Sequence, residues 1–248
     1  MNDLPRATGK LLGNTYEDIS GSAWLLGHDL KSPIAIIIST LEMVISLYED
    51  DAQMSHTIHL LRGALLAARR EYNMVSDMLD LARLELDQYE LNLQPLNLVE
   101  VLTETLSEEG YGLEIKKIKL ETQIPEQPLL VSADPELFKR IFSALIDNVI
   151  KFTVRDDRLT IMMKEEGGQV VVQFEDTGRP IFPEFQQTLL ERAPQWESRQ
   201  AGSRSSVGMS LPFIHVAVQA HGGIFSAKSD QATGLTYFRL SLPALKTD

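Results

Sequence analysis

The stretch LKSPIAIIISTLEMVISLY, residues 30–48, decides the first half of the fold. In it Leu30, Ile34, Ile37, Leu41, Val44 and Tyr48 recur at steps of four, three, four, three and four, which lines one apolar seam along a helix. Tyr48 closes the seam with a ring that can pack while its hydroxyl reaches water. After the polar break Glu49-Asp50-Asp51, the residues Ile58, Leu61, Leu65, Ala68, Tyr72, Val75, Leu79, Ala82 and Leu86 repeat three and four without a slip. Two long helices with a short connection form an antiparallel hairpin. One hairpin cannot bury both seams and the flanking Leu26, Ile45, Leu66, Met74, Met78 and Leu81. A second copy completing a four-helix bundle solves this, so a homodimer is expected.

Working outward, residues 1–15 are a lead-in, 16–91 the hairpin and 92–248 a second domain, with the boundary near Asn92 to Asn97. Beyond it, short alternating segments and Gly- and Pro-containing loops replace the helical period. Ile118, Leu120, Thr122 and Ile124 alternate, and Leu159 to Met163, Val170 to Phe174, Ile224 to Ala227 and Leu235 to Leu242 read as further strands. Helices are expected around Val99 to Glu109, Pro135 to Phe152 and Leu211 to Ala220. The middle one has Asp134 as N-cap, Pro135 at its first position and Glu136 in its first turn. The fold class is therefore an all-α hairpin followed by an α+β domain.

The 248 residues, 44% of them hydrophobic, suffice for two cored domains. With 23 basic and 35 acidic residues the net charge is −12, a field that repels nucleic acid. The absence of cysteine removes disulfides, thiolate metal sites and a Cys nucleophile, and fits a reducing, cytoplasmic compartment. The continuous apolar runs, Ile34 to Ile38 and Ala64 to Ala68, are too short to span a bilayer, so no membrane segment is expected.

Chemistry enters at His28. Two residues before Leu30, it is rotated about 200° from the seam and faces outward. Alone it would be a solvated polar residue. Asp29 beside it can hydrogen-bond one imidazole nitrogen and make the other a better nucleophile. Ser32 at i+4 shares its face, and Pro33 removes a backbone bond and loosens the turn.

His28-Asp29-Leu30-Lys31-Ser32-Pro33 resembles the H box of the sensor histidine kinases of two-component systems, and a His-bearing hairpin ahead of an α+β domain resembles their order. That resemblance implies His28 as phosphoacceptor, Asp29 as its activating base, and Ser32 in the place of a Thr or Asn that positions water for dephosphorylation of a partner. Ile146-Asp147-Asn148-Val149-Ile150-Lys151-Phe152-Thr153 resembles the family's N box. It implies Asn148 on Mg²⁺, Lys151 on phosphate and Phe152 stacked on adenine, although Ala144 stands where many members carry another Asn. An amide oxygen ligates Mg²⁺ without the desolvation cost of a carboxylate.

Asp176-Thr177-Gly178-Arg179-Pro180 resembles the first glycine box, whose Asp accepts the adenine amino group; Pro180 replaces the second Gly. Counting back from His221-Gly222-Gly223 places Gly208-Met209-Ser210-Leu211 at the second glycine box, where Gly208 would meet phosphate at a helix N-terminus and Ser210 replaces a Gly. The segment from Phe182 to Val207 would be the lid, and Arg199 or Arg204 in it is equally a phosphate contact or a solvated charge. Gly234-Leu235-Thr236 resembles the start of the last strand, with Thr236 near the adenine pocket.

The resemblance implies an α+β sandwich of the histidine kinase and gyrase ATPase kind. It implies ATP and Mg²⁺ as substrate and cofactor, autophosphorylation of His28, and transfer to an Asp of a response-regulator receiver domain. The altered glycine positions keep an alternative open: an ATP-binding-impaired phosphotransfer protein or phosphatase built on the same bundle.

Overall fold

The computed structural model describes residues 8–181, 190 and 210–245; of the first helix it describes the backbone, the packing around Gly27, and the side chains from residue 29 onward. The fold divides into two compact units, Met1–Ala82 and Arg83–Asp248.

In the first unit, α1 (Thr8–Tyr48) and α2 (Ser55–Glu85) are joined through a single 3-10 turn, Ala52–Met54. The acidic break makes the connection: the Asp51 carboxylate accepts the Gln53 N–H at 2.9 Å, and the Asp51 N–H bonds the Tyr48 carbonyl. The helices run antiparallel. Arg69 donates to Glu42 at 2.7 Å, Arg62 lies 3.6 Å from Glu49, and Lys31 sits 4.8 Å over the Tyr72 ring. A Cβ on Gly27 would come within 2.6 Å of Leu79, so the helices touch there only because residue 27 has no side chain.

The loosening expected at Pro33 does not interrupt α1, which continues through it. Pro33 offers no N–H to the Asp29 carbonyl, but the flanking turns carry the helix past that missing bond. Ile45, Ile58, Val75 and Leu79 are buried, whereas the seam residues Leu30 and Ile37 are 51% and 52% exposed and Met43 and Leu47 are open to solvent. By length and composition alone the 20 residues Asp29–Tyr48 could also cross a bilayer. Short continuous runs hid this property, because Lys31, Ser32, Pro33 and Glu42 interrupt an otherwise apolar helix.

The second unit carries a five-stranded sheet of order β2-β4-β5-β7-β6, where β2 is Lys119–Gln123, β4 Arg158–Glu166, β5 Gln169–Asp176, β6 Ile224–Ser229 and β7 Thr236–Pro243. Strands β2 and β4 are parallel and the other pairs antiparallel. A separate antiparallel pair joins β1 (Gln94–Asn97) to β3 (Leu130–Ala133). The helices are α3 (Leu98–Lys116), α4 (Pro135–Phe152) and, among the described residues, α5 (Ser210–Ala220).

Helix α4 has the expected bounds and the expected cap: the Asp134 carboxylate accepts the N–H groups of Glu136 and Leu137, with Pro135 in the first turn. Its Phe138, Ile141, Phe142, Leu145 and Ile146 are fully buried, each contributing about 1.5–3 kcal/mol. Phe142 meets Phe174 of β5 at 6.3 Å, which puts Phe174, Val172 and Asp176 on the helix-covered face. Helix α5 packs on α4 through Phe213, whose ring lies 4.8 Å from the Arg140 guanidinium.

Four elements differ from expectation. Helix α3 runs two turns beyond Glu109 because Gly112 and Leu113 are buried, and it ends where Lys117 turns left-handed at φ 55°. Strands β1 and β3 were not expected; each is four residues long, and Pro95 sits within β1. Strand β2 forms at the sheet edge with every residue exposed, so its alternation carries no buried face.

Candidate functional site

The last turn of α4 places Asn148 in the interior, 5% exposed. Its Nδ2 donates to the Ala144 carbonyl at 2.9 Å. That bond commits the nitrogen to the helix and leaves Oδ1 as the ligating end. Lys151 is exposed, with its ammonium 5.2 Å from the Phe152 ring centroid, and Phe152 is half-buried. Thr153 terminates the helix: its N–H and hydroxyl both bond the Val149 carbonyl, while the Lys116 ammonium donates to the Thr153 carbonyl at 2.8 Å.

The turn after β5 is tied directly to this helix end. The Arg179 N–H bonds the Phe152 carbonyl at 3.0 Å, and the Gly178 N–H bonds Asp176 Oδ1 at 2.8 Å. A Cβ on Gly178 would lie 2.8 Å from Asp176 Oδ1, 2.9 Å from the Phe152 carbonyl and 3.0 Å from Thr153. Only glycine allows that approach. Thr177 closes the turn, accepting the Arg158 N–H and donating to Asp157, whose second oxygen holds the Val154 N–H.

Asp176 is 3% exposed, and its carboxyl is pushed up to about 6, chiefly by burial, with the Gly178 N–H opposing and the charges of Asp157 and Glu175 reinforcing. Across the sheet Asp176 pairs with Thr236, and Thr236 with Ser229. The Thr236 and Ser229 hydroxyls are 2.8 Å apart, and Ser229 Oγ accepts the Ile181 N–H at 2.7 Å. One row of buried polar groups thus ends three adjacent strands beneath the C-terminal turn of α4.

His221, where α5 ends, is buried against Phe138 at 5.1 Å. Its Nε2 accepts the Asp134 N–H and its Nδ1 donates to the Ala217 carbonyl, so the ring is held neutral, with burial lowering its basicity. It staples the end of α5 to the start of α4.

The structure therefore brings Asn148, Lys151 and Phe152 together with Asp176 and Gly178, and places Thr236 beside Asp176. In the first unit Asp29 and Ser32 are exposed within one turn of α1, which also contains the backbone of His28. The His28 side chain, Gly208, Arg199 and Arg204 lie outside the described residues. Sequence reasoning passed over Ser229 and Asp157, which take part only through strand pairing and the Asp176 turn.

The donor set fits a Mg²⁺-nucleotide: a neutral amide oxygen fixed by its own helix, a nearby ammonium, and a buried carboxylate that can accept an amino group. Residues 133–246 match the family model for the histidine kinase-, DNA gyrase B- and HSP90-like ATPases. The chain is 27% identical over 230 residues to "Probable sensor kinase SilS" of Salmonella typhimurium, covering 89% of this chain and 44% of that protein. It is 24% identical over 221 residues to the sensor-like histidine kinase SenX3 of Mycobacterium bovis, covering 89% and 52%. The chain thus spans about half the length of these curated relatives. Among solved structures, the Acinetobacter baumannii histidine kinase AdeS shares the fold with a TM-score of 0.58 at 21% identity, covering 88% of this chain and 98% of that one. Residues 133–246 belong to the histidine kinase-, DNA gyrase B- and HSP90-like ATPase family, and with a helical hairpin ahead of that domain the chain matches sensor histidine kinases.

Proposed function

We propose that the chain is the kinase core of a two-component sensor, which autophosphorylates His28 from ATP and passes the phosphoryl group to an Asp of a receiver domain. The observation that carries this reading is the juxtaposition, under one helix end, of Asn148 Oδ1 with the buried Asp176–Thr236 pair. Asp176 Oδ2 accepts the adenine amino group, Phe152 lies beside the ring, and Lys151 reaches the phosphates. Asn148 would hold Mg²⁺, which neutralises charge on the triphosphate. Gly208 would offer its backbone N–H to phosphate.

On the hairpin, Asp29 accepts one imidazole N–H of His28 and raises the basicity of the other nitrogen. That nitrogen bonds the γ-phosphorus as the bond to the β–γ bridging oxygen breaks and ADP leaves. Ser32, exposed on the same turn, positions water when the partner is dephosphorylated. The exposed seam residues Leu30, Ile37 and Tyr48 lie on the face that a second copy covers, making a dimeric four-helix bundle of residues 16–91, with 92–248 as the catalytic domain. Glu42, ion-paired to Arg69, supports the packing of α1 in this hairpin, in keeping with the proposed cytoplasmic core.

The test is incubation with γ-labelled ATP and Mg²⁺. Acid-labile, base-stable phosphate is expected in the wild type and absent in His28→Ala. No labelling, or label that survives the substitution, overturns the proposal.

A further inference from the structure

Between α2 and β1 the chain is fixed at both ends. Helix α2 closes where Asp87 turns left-handed at φ 53° and the Gln88 N–H bonds the Arg83 carbonyl at 2.8 Å. The Tyr89 ring then lies 5.2 Å from the Arg83 guanidinium, and the Asn92 N–H donates to Asp134 Oδ2 at 3.0 Å. Only Glu90 and Leu91 stand between those two anchors, a reach of about 10 Å when fully extended. A link so short has little slack, so a pull on its α2 end is felt at Asn92.

Asp134 receives that pull at a junction. Its buried carboxylate is divided: Oδ1 accepts the N–H groups of Glu136 and Leu137 and so starts α4, while Oδ2, which the cap leaves over, takes Asn92. Its own N–H is held by His221 Nε2 at 3.1 Å, where α5 ends. One residue therefore ties the link to the first turn of α4 and to the last turn of α5. The opposite ends of the same two helices carry Asn148 and Lys151 on α4 and Ser210 on α5. Stiff helices pass a displacement from one end to the other.

We propose that Asp134 is a positioning residue that couples the α2–β1 link to the nucleotide site: with Asn92 bound, α4 and α5 are held in the arrangement that accepts the nucleotide, and release of Asn92 loosens it. This rests on the reading of the site as a nucleotide pocket. The coupling is reciprocal, so the nucleotide tightens the Asn92–Asp134 bond by the same factor by which that bond favours the nucleotide. A carboxylate that served only as a helix cap would show no such exchange between the two.

The test follows hydrogen exchange of the Asn92 amide in the full chain, with and without saturating ATP and Mg²⁺, beside ATP affinity by calorimetry. In the wild type this amide should exchange about tenfold more slowly than an unbonded one, and about fivefold more slowly again with ATP bound. Asp134→Asn keeps an oxygen for the cap but turns an amide donor toward the Asn92 N–H. It should abolish both the slow exchange and the ATP effect, and weaken ATP binding by about fivefold. Asn92→Pro removes the donor without touching Asp134 and should weaken ATP by the same factor. In that background Asp134→Asn should cost nothing further. Asn92 exchange that ATP leaves unchanged, an Asn92→Pro chain that binds ATP as tightly as wild type, or an undiminished Asp134→Asn effect in the Asn92→Pro background overturns the coupling and leaves the nucleotide site standing. A wild-type chain that does not bind ATP overturns both.

Discussion

Replacing Asp176 by Asn should make the nucleotide-free protein more stable and the nucleotide bind less well. Burial raises the carboxyl from 3.8 to about 6. At about 1.4 kcal/mol per pH unit, keeping it ionised at pH 7 costs the fold about 3 kcal/mol relative to the unfolded chain. An amide carries no such penalty, and its oxygen can still take the Gly178 N–H now held at 2.8 Å. Allowing about 1 kcal/mol for amide hydrogens facing the pocket leaves a gain of about 2 kcal/mol, or about 5 °C for a unit of this size.

The pH dependence identifies the cause. Because the folded value lies above the unfolded one, the contribution of Asp176 is fully present below pH 3.8 and is lost as pH rises through about 6. Wild type and Asp176→Asn should therefore be nearly equal in stability at pH 4, diverge up to about pH 6, and stay apart above it. Scanning calorimetry of the full chain checks this on the transition that ATP shifts, since saturating ligand at 100 times its Kd adds about 2.7 kcal/mol there. ATP should bind about 10- to 100-fold more weakly to the variant, having lost a charge-assisted acceptor. A variant less stable than wild type by the same margin at every pH, or one that binds ATP normally, would refute the reasoning.

Gly178→Ala forces a methyl to within 2.9 Å of the Phe152 carbonyl, backbone that can yield only by moving the end of α4; a loss of about 1–3 kcal/mol and at least tenfold weaker ATP binding are expected, by urea unfolding and calorimetry. His221 must stay neutral to accept the Asp134 N–H, and its folded value lies below the unfolded 6.5. Its contribution is therefore present above pH 6.5 and lost as pH falls below that value, and His221→Phe should remove this acid-side loss while lowering stability at pH 8 by about 1–3 kcal/mol. Ile37→Asp, placing a charge on the exposed seam of α1, should convert a dimer to monomer in sedimentation without altering ATP affinity; a wild-type chain that is monomeric at every concentration refutes the bundle.

How much was legible before the structure depended on whether the signal was local. The start of α4 could be read because Asp134, Pro135 and Glu136 each act within one turn, and the same residues cap the helix in the fold. The length of α3 could not, because Gly110 and Gly112 read as ends while the burial of Gly112 and Leu113 against the rest of the unit keeps the helix going. Strands β1 and β3 escaped notice because four residues show no periodicity and Pro95 argues against a strand. In the site, Asn148, Asp176 and Thr236 were visible as members of short motifs. Ser229 was not: one serine in an alternating strand is ordinary, and its partnership with Thr236 exists only in the register of β6 on β7.

The departures from the glycine pattern can be weighed by what each position must do. A Cβ on Gly178 would meet three atoms at or within 3.0 Å, so any side chain there displaces the turn or the end of α4. Pro180 is exposed and stands between two residues whose N–H groups are both used: Arg179 on the Phe152 carbonyl and Ile181 on Ser229. The N–H that proline lacks is therefore the one this turn does not employ, and a ring that fixes φ near −65° stiffens the link between the two anchors. Ala144 contributes its carbonyl, which any residue would supply, to hold the Asn148 amide. Ser210 opens α5, and Pro212 follows within the first turn, where a missing N–H is harmless. Of the three substitutions, only Ser210 falls where the proposed second glycine box would bring backbone to phosphate, so under that proposal any impairment is to be sought in phosphate binding and not in recognition of the base. Ser210→Gly should then raise ATP affinity more than adenosine affinity, and an equal effect on the two ligands would show that the serine acts on the fold as a whole.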